Sequence, residues 1–149
     1  MGKFSYKMQN ILDIKFKLEN QAKTSFANAM AKAEEEKHKM VQLQQKRNGY
    51  EEMYRQSLNS ALDIKELNLC LKGMEQTKEK IKEQALAIHV AEKNVEAARE
   101  QLQEVMQERK THEKLKEYAF DEYIKEINAA ESKEIDELVS YNYGKVAGE

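Results

Sequence analysis

Small and apolar residues recur every three or four positions from Thr77 to Ile127, a stretch that contains neither Gly nor Pro. This spacing keeps one narrow apolar stripe on one side of an α-helix, and a stripe sustained over several heptads requires a partner helix. A lone helix of this kind would be only marginally stable in water. The stripe comprises Ile81, Ile88, Ala91, Val95, Ala98, Leu102 and Val105, and it weakens through His112, Leu115, Ala119, Tyr123 and Ile127.

The first third of the chain carries a second stripe with the same spacing. Ser5 precedes it as a candidate helix cap, and the pattern predicts a helix over about residues 5–57. Gly49 inside this helix costs roughly 1 kcal/mol relative to Ala. The stripe comprises Phe4, Met8, Ile11, Lys15, Leu18, Ala22, Phe26, Ala29, Ala33, Met40, Leu43, Arg47, Tyr50 and Tyr54.

Residues that favour turns and caps separate the two stripes, from Ser57 to Asp63. Asp63 followed by Glu66 resembles a capping box that starts a new helix. We therefore predict a short connection at about 58–62, a second helix at about 63–140, and a frayed tail at 141–149.

Two long helices joined by a short connection run antiparallel. A fold-back near residue 60 brings together residues whose numbers sum to about 120, and the pairs obtained in this way are apolar on both sides. The pairs are Leu18 with Leu102, Phe26 with Val95, Ala33 with Ile88, Met40 with Ile81, and Tyr54 with Leu67. The predicted fold is all-α: a single long two-helix antiparallel coiled-coil hairpin over residues 1–149.

In this arrangement the second helix extends about 20 residues beyond the first. The apolar residues of 120–140 are then left without a partner in the molecule. An interaction surface is one interpretation of this segment. Contact with another copy and fraying in solution are the alternatives.

Composition argues against an enzyme. Aromatic residues make up 7% of the chain and charged residues 35%, which is too few large apolar side chains to build a deep pocket. His38, His89 and His112 lack companions at metal-ligand spacing, and no Gly-rich loop precedes a helix. We expect no catalytic residue, no metal and no cofactor.

Charge and cysteine usage restrict the partners and the location. The net charge is −2, with ten Lys and Arg against five Asp and Glu in residues 1–47, an excess too modest for nucleic-acid binding. Cys70 is a single cysteine, which fits a reducing compartment. No apolar run reaches the roughly 20 residues that a bilayer crossing needs, so we expect a cytoplasmic protein without direct membrane insertion.

A basic segment, residues 109–117, interrupts the second stripe. Arg109, His112 and Lys116 occupy stripe positions where apolar residues are expected. Two interpretations stay open: the Arg and Lys stems lie along the helix pair with their charged ends in water, or the segment is a basic surface for an acidic partner.

Several parts of the chain follow one another in a specific order. Phe4–Lys15 has an aromatic-x-aromatic start and then an apolar-Leu-Asp-apolar-Lys run. Next come Glu19, Gln21–Lys23, Phe26, Gln84, Ala98–Arg99, Leu102, Arg109–Lys110, Glu113–Leu115, Glu131, Lys133 and Ile135–Glu137. Together these resemble the FliJ family, the small coiled-coil component of the flagellar type III export apparatus.

The resemblance implies a hairpin similar to the central stalk of rotary ATPases, which inserts into the export ATPase ring. It further implies contact with the export gate's membrane protein and, in some members, with export chaperones. Such partners would hold the protein at the cytoplasmic face of the inner membrane. The implied ATPase-binding residues are Lys7, Lys15, Arg109, Lys110, Lys114 and Lys116, and the implied gate-binding residues are Leu67, Leu71 and Met74.

Where the family often has an aromatic residue and a Leu about one turn apart, this chain departs from the pattern and has Leu71 and Met74 with Gly73 between them. The competing hypothesis is a generic coiled-coil spacer or dimerisation protein. Oligomeric state separates the two hypotheses, because a hairpin pairs its own stripes and is predicted to be a monomer in isolation.

Overall fold

The computed structural model describes residues 3–59 and 63–147. Two helices account for nearly all of them: α1 spans Gln9–Asn59 and α2 spans Ile64–Ala147. The described residues contain no strand. The prediction of an all-α antiparallel helix pair is confirmed, whereas residues 60–62 of the predicted connection lie outside the described residues.

The starts of the two helices differ in how closely they follow the sequence. At α2 the Lys65 amide donates to the Asp63 side chain at 3.0 Å, and the Leu67 amide donates to the Asp63 carbonyl, so the predicted cap is confirmed. At α1 the helix begins at Gln9 rather than near residue 5, and Ser5 is not its cap. There the Gln9 amide donates to the Tyr6 carbonyl in a preceding turn, at 3.1 Å.

The end of α2 also differs from the prediction. The helix continues through Ala147, whereas the sequence pattern indicates an end near residue 140 and a frayed tail. The extra residues include Tyr141 and Tyr143, and the segment contains neither Gly nor Pro before Gly144 to stop the helix.

The chain contacts divide the molecule into two units. The terminal unit comprises residues 1–19 and 104–149, and the central unit comprises residues 20–103. In each unit a stretch of α1 packs antiparallel against a stretch of α2. Within the central unit Glu36 meets Gln84 and Tyr50 meets Gly73, so facing residue numbers sum to 120 and 123. These sums agree with the predicted register.

Side chains between the paired helices follow an alternating spacing of three and four, and we call this line of residues the seam. In the central unit Ala33 and Ala91 are buried on it as predicted. Glu36, Ser57 and Thr77 are buried there as well, although the stripes drawn from apolar residues omit them. The Thr77 hydroxyl donates to the Gly73 and Met74 carbonyls at 2.8 and 3.0 Å, which satisfies it without a cross-helix partner.

In the terminal unit the predicted stripe on α1 is wrong by one residue at two of its positions, Ile11 and Leu18. Leu12 and Glu19 are buried, 2% and 4% exposed, whereas Ile11 and Leu18 are 37% and 38% exposed. The seam passes through Glu19 because a cation on α2 neutralises its carboxylate. On α2 Leu115 is exposed as well, and its place on the seam is taken by half-buried His112 and Lys116.

Candidate functional site

The six cations predicted to bind the ATPase all belong to the terminal unit. Lys7 lies in the turn before α1, Lys15 lies in the second turn of α1, and the other four lie on α2. Their surroundings divide them into two sets, one paired within the molecule and one turned to the surface.

Arg109 is paired inside the molecule. Its Nε and one terminal nitrogen donate to the two Glu19 carboxylate oxygens, at 2.6 and 3.1 Å, and its other terminal nitrogen donates to Glu113 at 2.8 Å. The side chain is only 16% exposed, and that of Glu19 is 5% exposed. Such a two-pronged pair matches the planar guanidinium to the carboxylate and fixes both side chains.

The environment of Arg109 keeps it cationic. The hydrogen bonds that Arg109 donates to Glu19 and then to Glu113 raise the pKa of the guanidinium above its ordinary value, against the opposing effect of desolvation. The guanidinium carbon also lies 5.6 Å from the centre of the Phe16 ring, within cation–π range. With its donors directed at Glu19 and Glu113, Arg109 joins the helices of this unit and has little capacity left for a partner protein.

Lys15 is also paired within the terminal unit. Its Nζ lies 2.9 Å from a Glu108 carboxylate oxygen, and its side chain is 24% exposed. Lys116 is half-buried and lines a cavity together with Leu12, Phe16 and Phe120. Three acidic residues line the same cavity: Glu113, Glu117 and Asp121. Lys116 therefore lies in surroundings that are partly apolar and partly acidic.

Lys7, Lys110 and Lys114 form the exposed set. None of them makes an ion pair with another described residue of the chain. Lys110 and Lys114 are four residues apart on α2, so their side chains are neighbours on one helix face. This pair forms a basic surface on α2 with donors available to a partner.

An aromatic cluster holds the start of the chain against α2. The Phe4 ring centre lies 5.2 Å from that of Phe120, with the planes at 75°, and 5.3 Å from that of Tyr123. Edge-to-face contacts of this kind add to simple apolar burial. The cluster positions residues 4–8 and with them Lys7. The sequence indicates Phe4 on the stripe, but it gives no signal for a three-ring cluster.

The predicted gate residues lie in the central unit, near the start of α2. Leu71 is 47% exposed, whereas Leu67 and Met74 are half-buried. Ile64 and Leu69 were missed by the sequence reasoning and are more exposed, at 72% and 68%. Ile64 and Leu71 lie on one face of α2 and form the apolar surface available to a partner here, whereas Leu69 is exposed on the other side of the helix.

Gly73 has a packing role in this region. A Cβ added to it would lie 2.6 Å from two atoms of the Tyr50 ring, so the glycine lets that ring approach the α2 backbone. Cys70, 1% exposed, is buried in the same part of the central unit. This packing gives a physical reason for the glycine between two predicted gate residues.

A second buried carboxylate lies on the seam of the central unit. Gln84 donates through Nε2 to the Glu36 carboxylate at 2.5 Å and to the Glu36 carbonyl at 2.7 Å. Lys32 lies 3.0 Å and Lys39 3.4 Å from the same carboxylate. The Gln84 hydrogen bond, followed by those from the lysines, lowers the pKa of Glu36 to about 2. Sequence reasoning missed this site because it searched for apolar residues.

Neither helix has, within the described residues, an apolar stretch long enough for a bilayer crossing. The same residues contain no group of three or more His, Cys, Asp and Glu side chains arranged to hold a metal ion.

Comparisons with known proteins agree with this architecture. The solved structure of CT670 from Chlamydia trachomatis, described as a candidate YscO homolog, superposes with a TM-score of 0.76. The two sequences are 20% identical, and the match covers 95% of this chain and 96% of that one, so the likeness shows a common fold. No curated protein matches the sequence significantly. The family model described as "Flagellar FliJ protein" matches residues 4–148, and the chain therefore belongs to the FliJ family.

Proposed function

We propose that this chain is a coupling stalk that binds the flagellar export ATPase ring and links it to the membrane export gate. FliJ family membership makes the chain a component of flagellar type III protein export. In this proposal, the terminal unit binds the ATPase and the start of α2 binds the gate.

Lys110 and Lys114 carry the ATPase contact. This is the observation on which the proposal depends: both lysines are exposed, they are neighbours on α2, and no described residue pairs with them. Lys7 adds a third exposed cation in the same unit. Exposed charges of one sign steer a partner of the opposite sign and raise the association rate. The expected partner surface on the ATPase is acidic.

Arg109 and Lys15 act through the helix pair rather than by touching the ATPase. Each is engaged by a carboxylate of the same unit, Glu19 for Arg109 and Glu108 for Lys15. Their role is to fix how α1 and α2 face each other, which sets the position of the exposed lysines. We call them positioning residues for this reason.

The gate contact is formed by the exposed apolar residues at the start of α2. Leu71 supplies part of it, together with Ile64 on the same helix face. Leu67 and Met74 support that surface from the half-buried side of the helix. Apolar side chains exposed close together are typical of protein contact surfaces. Contact with the gate would hold the protein at the cytoplasmic face of the inner membrane, and export chaperones are further candidate partners.

Reversing the charge of the two exposed lysines tests the ATPase contact. We expect Lys110→Glu with Lys114→Glu to weaken binding to the purified export ATPase about tenfold, chiefly through a slower and less salt-sensitive association. Surface plasmon resonance at two salt concentrations measures both. Lys78→Glu with Lys82→Glu is the matched control, since these lysines have the same spacing on α2 and lie in the central unit.

Equal binding by the lysine variant and the control would contradict the assignment. A chain that binds neither the ATPase nor the gate, while sedimenting as a dimer at every concentration, would instead favour the generic spacer.

A further inference from the structure

The last part of α2 exposes an apolar face that no described residue covers. All residues from 128 to 145 are exposed, and Ile135 and Leu138 are 60% and 62% exposed. On a helix with 3.6 residues per turn, Ile124, Glu131, Ile135 and Leu138 fall within a sector of about 60°. We call this sector the tail face; its central position is the acidic Glu131.

A second exposed apolar face lies on α1 in the same unit. Ile11, Ile14 and Leu18 are 37%, 55% and 38% exposed and are spaced by three and four residues. They turn away from the seam, which takes Leu12 and Glu19 instead. Lys7 lies four residues before Ile11 in the turn that precedes α1, and Lys17 flanks the face. One face is therefore apolar and acidic, and the other is apolar and basic.

The two faces match in register as well as in charge. When they are aligned in parallel, Glu131 meets Lys7, Ile135 meets Ile11, and Leu138 meets Ile14, with residue numbers that differ by 124 in every pair. The alignment therefore places apolar against apolar at two positions and acid against base at a third.

The match cannot form within one molecule. Phe4 lies against Phe120 in the aromatic cluster, and α1 and α2 run antiparallel. Glu131 is eleven residues beyond Phe120, or about 16 Å along the helix, on the side away from the body of α1. A parallel alignment of the tail face with an α1 face requires α1 of another molecule.

We propose that the tail face docks on the α1 face of a second copy of this chain, and that each copy gives its tail to the other. Because α1 and α2 are antiparallel within a copy, a two-fold axis produces both contacts at once, and it passes close to Ile124. The interface is isologous, as in most symmetric dimers.

The physical consequence is a weak and reversible dimer. The seam of each copy is already paired internally, so only the tail contacts are added on association. Exposed ion pairs contribute little and are screened by salt, and two Lys7–Glu131 contacts per dimer make the association salt-sensitive. The chain is then a monomer when dilute. Since Lys7 is covered in the dimer, the dimer competes with partners that use this residue, although the inference does not depend on the proposed function.

A charge swap between two variants tests the inference. Lys7→Glu and Glu131→Lys each place like charges at both contacts of a homodimer, so we expect each variant alone to dimerise roughly tenfold more weakly than the wild type. Mixing them places opposite charges at both contacts of the mixed dimer, and wild-type affinity should return. Sedimentation velocity over a concentration series at low salt measures association, and far-UV circular dichroism verifies the helix content.

Glu126→Lys is the matched control, because it makes the same charge change on the opposite side of α2. The inference is overturned if the wild type stays monomeric throughout the series, or if the mixture associates no better than its components. It is also overturned if Glu126→Lys weakens association as much as Glu131→Lys, or if the tail face binds an unrelated basic amphipathic helix and not a second copy.

Discussion

Glu19 is a carboxylate buried at a position where a coiled coil ordinarily carries an apolar side chain. It is tolerated because Arg109 donates two hydrogen bonds to it, while a third from the same guanidinium goes to Glu113. Such pairs contribute less to net stability than to register, since desolvation offsets their attraction. Removing one partner is costly, however, because a buried charge is left without its counter-charge.

Arg109→Ala is expected to lower the melting temperature by roughly 5–10 °C, because the Glu19 carboxylate loses its guanidinium. Glu19→Leu combined with Arg109→Leu should recover most of this loss, since an apolar pair fills the same place on the seam. Thermal unfolding followed by circular dichroism gives both values. Lys110→Ala, next to Arg109 but exposed, is the control and should change little. A double variant as unstable as the single one would contradict this account.

Glu36 gives the central unit a defined acid sensitivity. Its pKa falls from 4.5 to about 2 on folding, so its stabilising contribution is present above about 4.5 and is lost as the pH falls toward 2. Glu36→Gln should therefore be less stable than the wild type at neutral pH, and the difference should shrink between pH 4.5 and 2. Urea unfolding of the wild type and the variant across this pH range measures the difference in their free energies of unfolding. Glu35→Gln, at an exposed neighbour, should show a smaller difference at neutral pH.

At the scale of the helix, the two glycines of the central unit have opposite roles. Gly49 lies in α1, and a Cβ there meets nothing within 4 Å. Gly73 lies in α2 against the Tyr50 ring, where a Cβ would come within 2.6 Å of it. Propensity alone makes both positions unfavourable, and only the packing of the partner helix separates them.

Gly49→Ala should raise the free energy of unfolding by about 1 kcal/mol, or roughly 2–4 °C in melting temperature. Gly73→Ala gains the same helix propensity but displaces the Tyr50 ring, and overpacking costs about 1–3 kcal/mol, so we expect a net loss or no gain. Adding Tyr50→Leu to Gly73→Ala should relieve the overlap. If both alanine variants were equally stabilising, the packing role of Gly73 would be wrong.

At the scale of the whole molecule, the antiparallel pairing follows from the sequence, because alternating three- and four-residue spacing and a short connection leave few other solutions. The seam residues of the terminal unit could not be predicted from the sequence in the same way, since Ile11 and Leu18 look better suited to burial than Leu12 and Glu19. Glu19 is tolerated on the seam only because Arg109 on the other helix pairs with it. The residue pattern of one helix alone does not reveal such a partner. For the same reason the predicted basic site did not distinguish paired Arg109 and Lys15 from exposed Lys110 and Lys114.

The placement of the two candidate binding surfaces in different units predicts that their functions separate. Ile64→Glu with Leu71→Glu should weaken binding to the cytoplasmic part of the export gate while leaving ATPase binding intact, because a charge at an apolar contact must be desolvated. Lys110→Glu with Lys114→Glu should do the reverse. Leu86→Glu is the control for the first variant, since Leu86 is 69% exposed on α2 and is assigned to neither surface. Pull-down of each purified partner by each variant gives the comparison. If either folded variant lost both interactions, the two partners would share one surface, and the assignment of separate sites would be wrong.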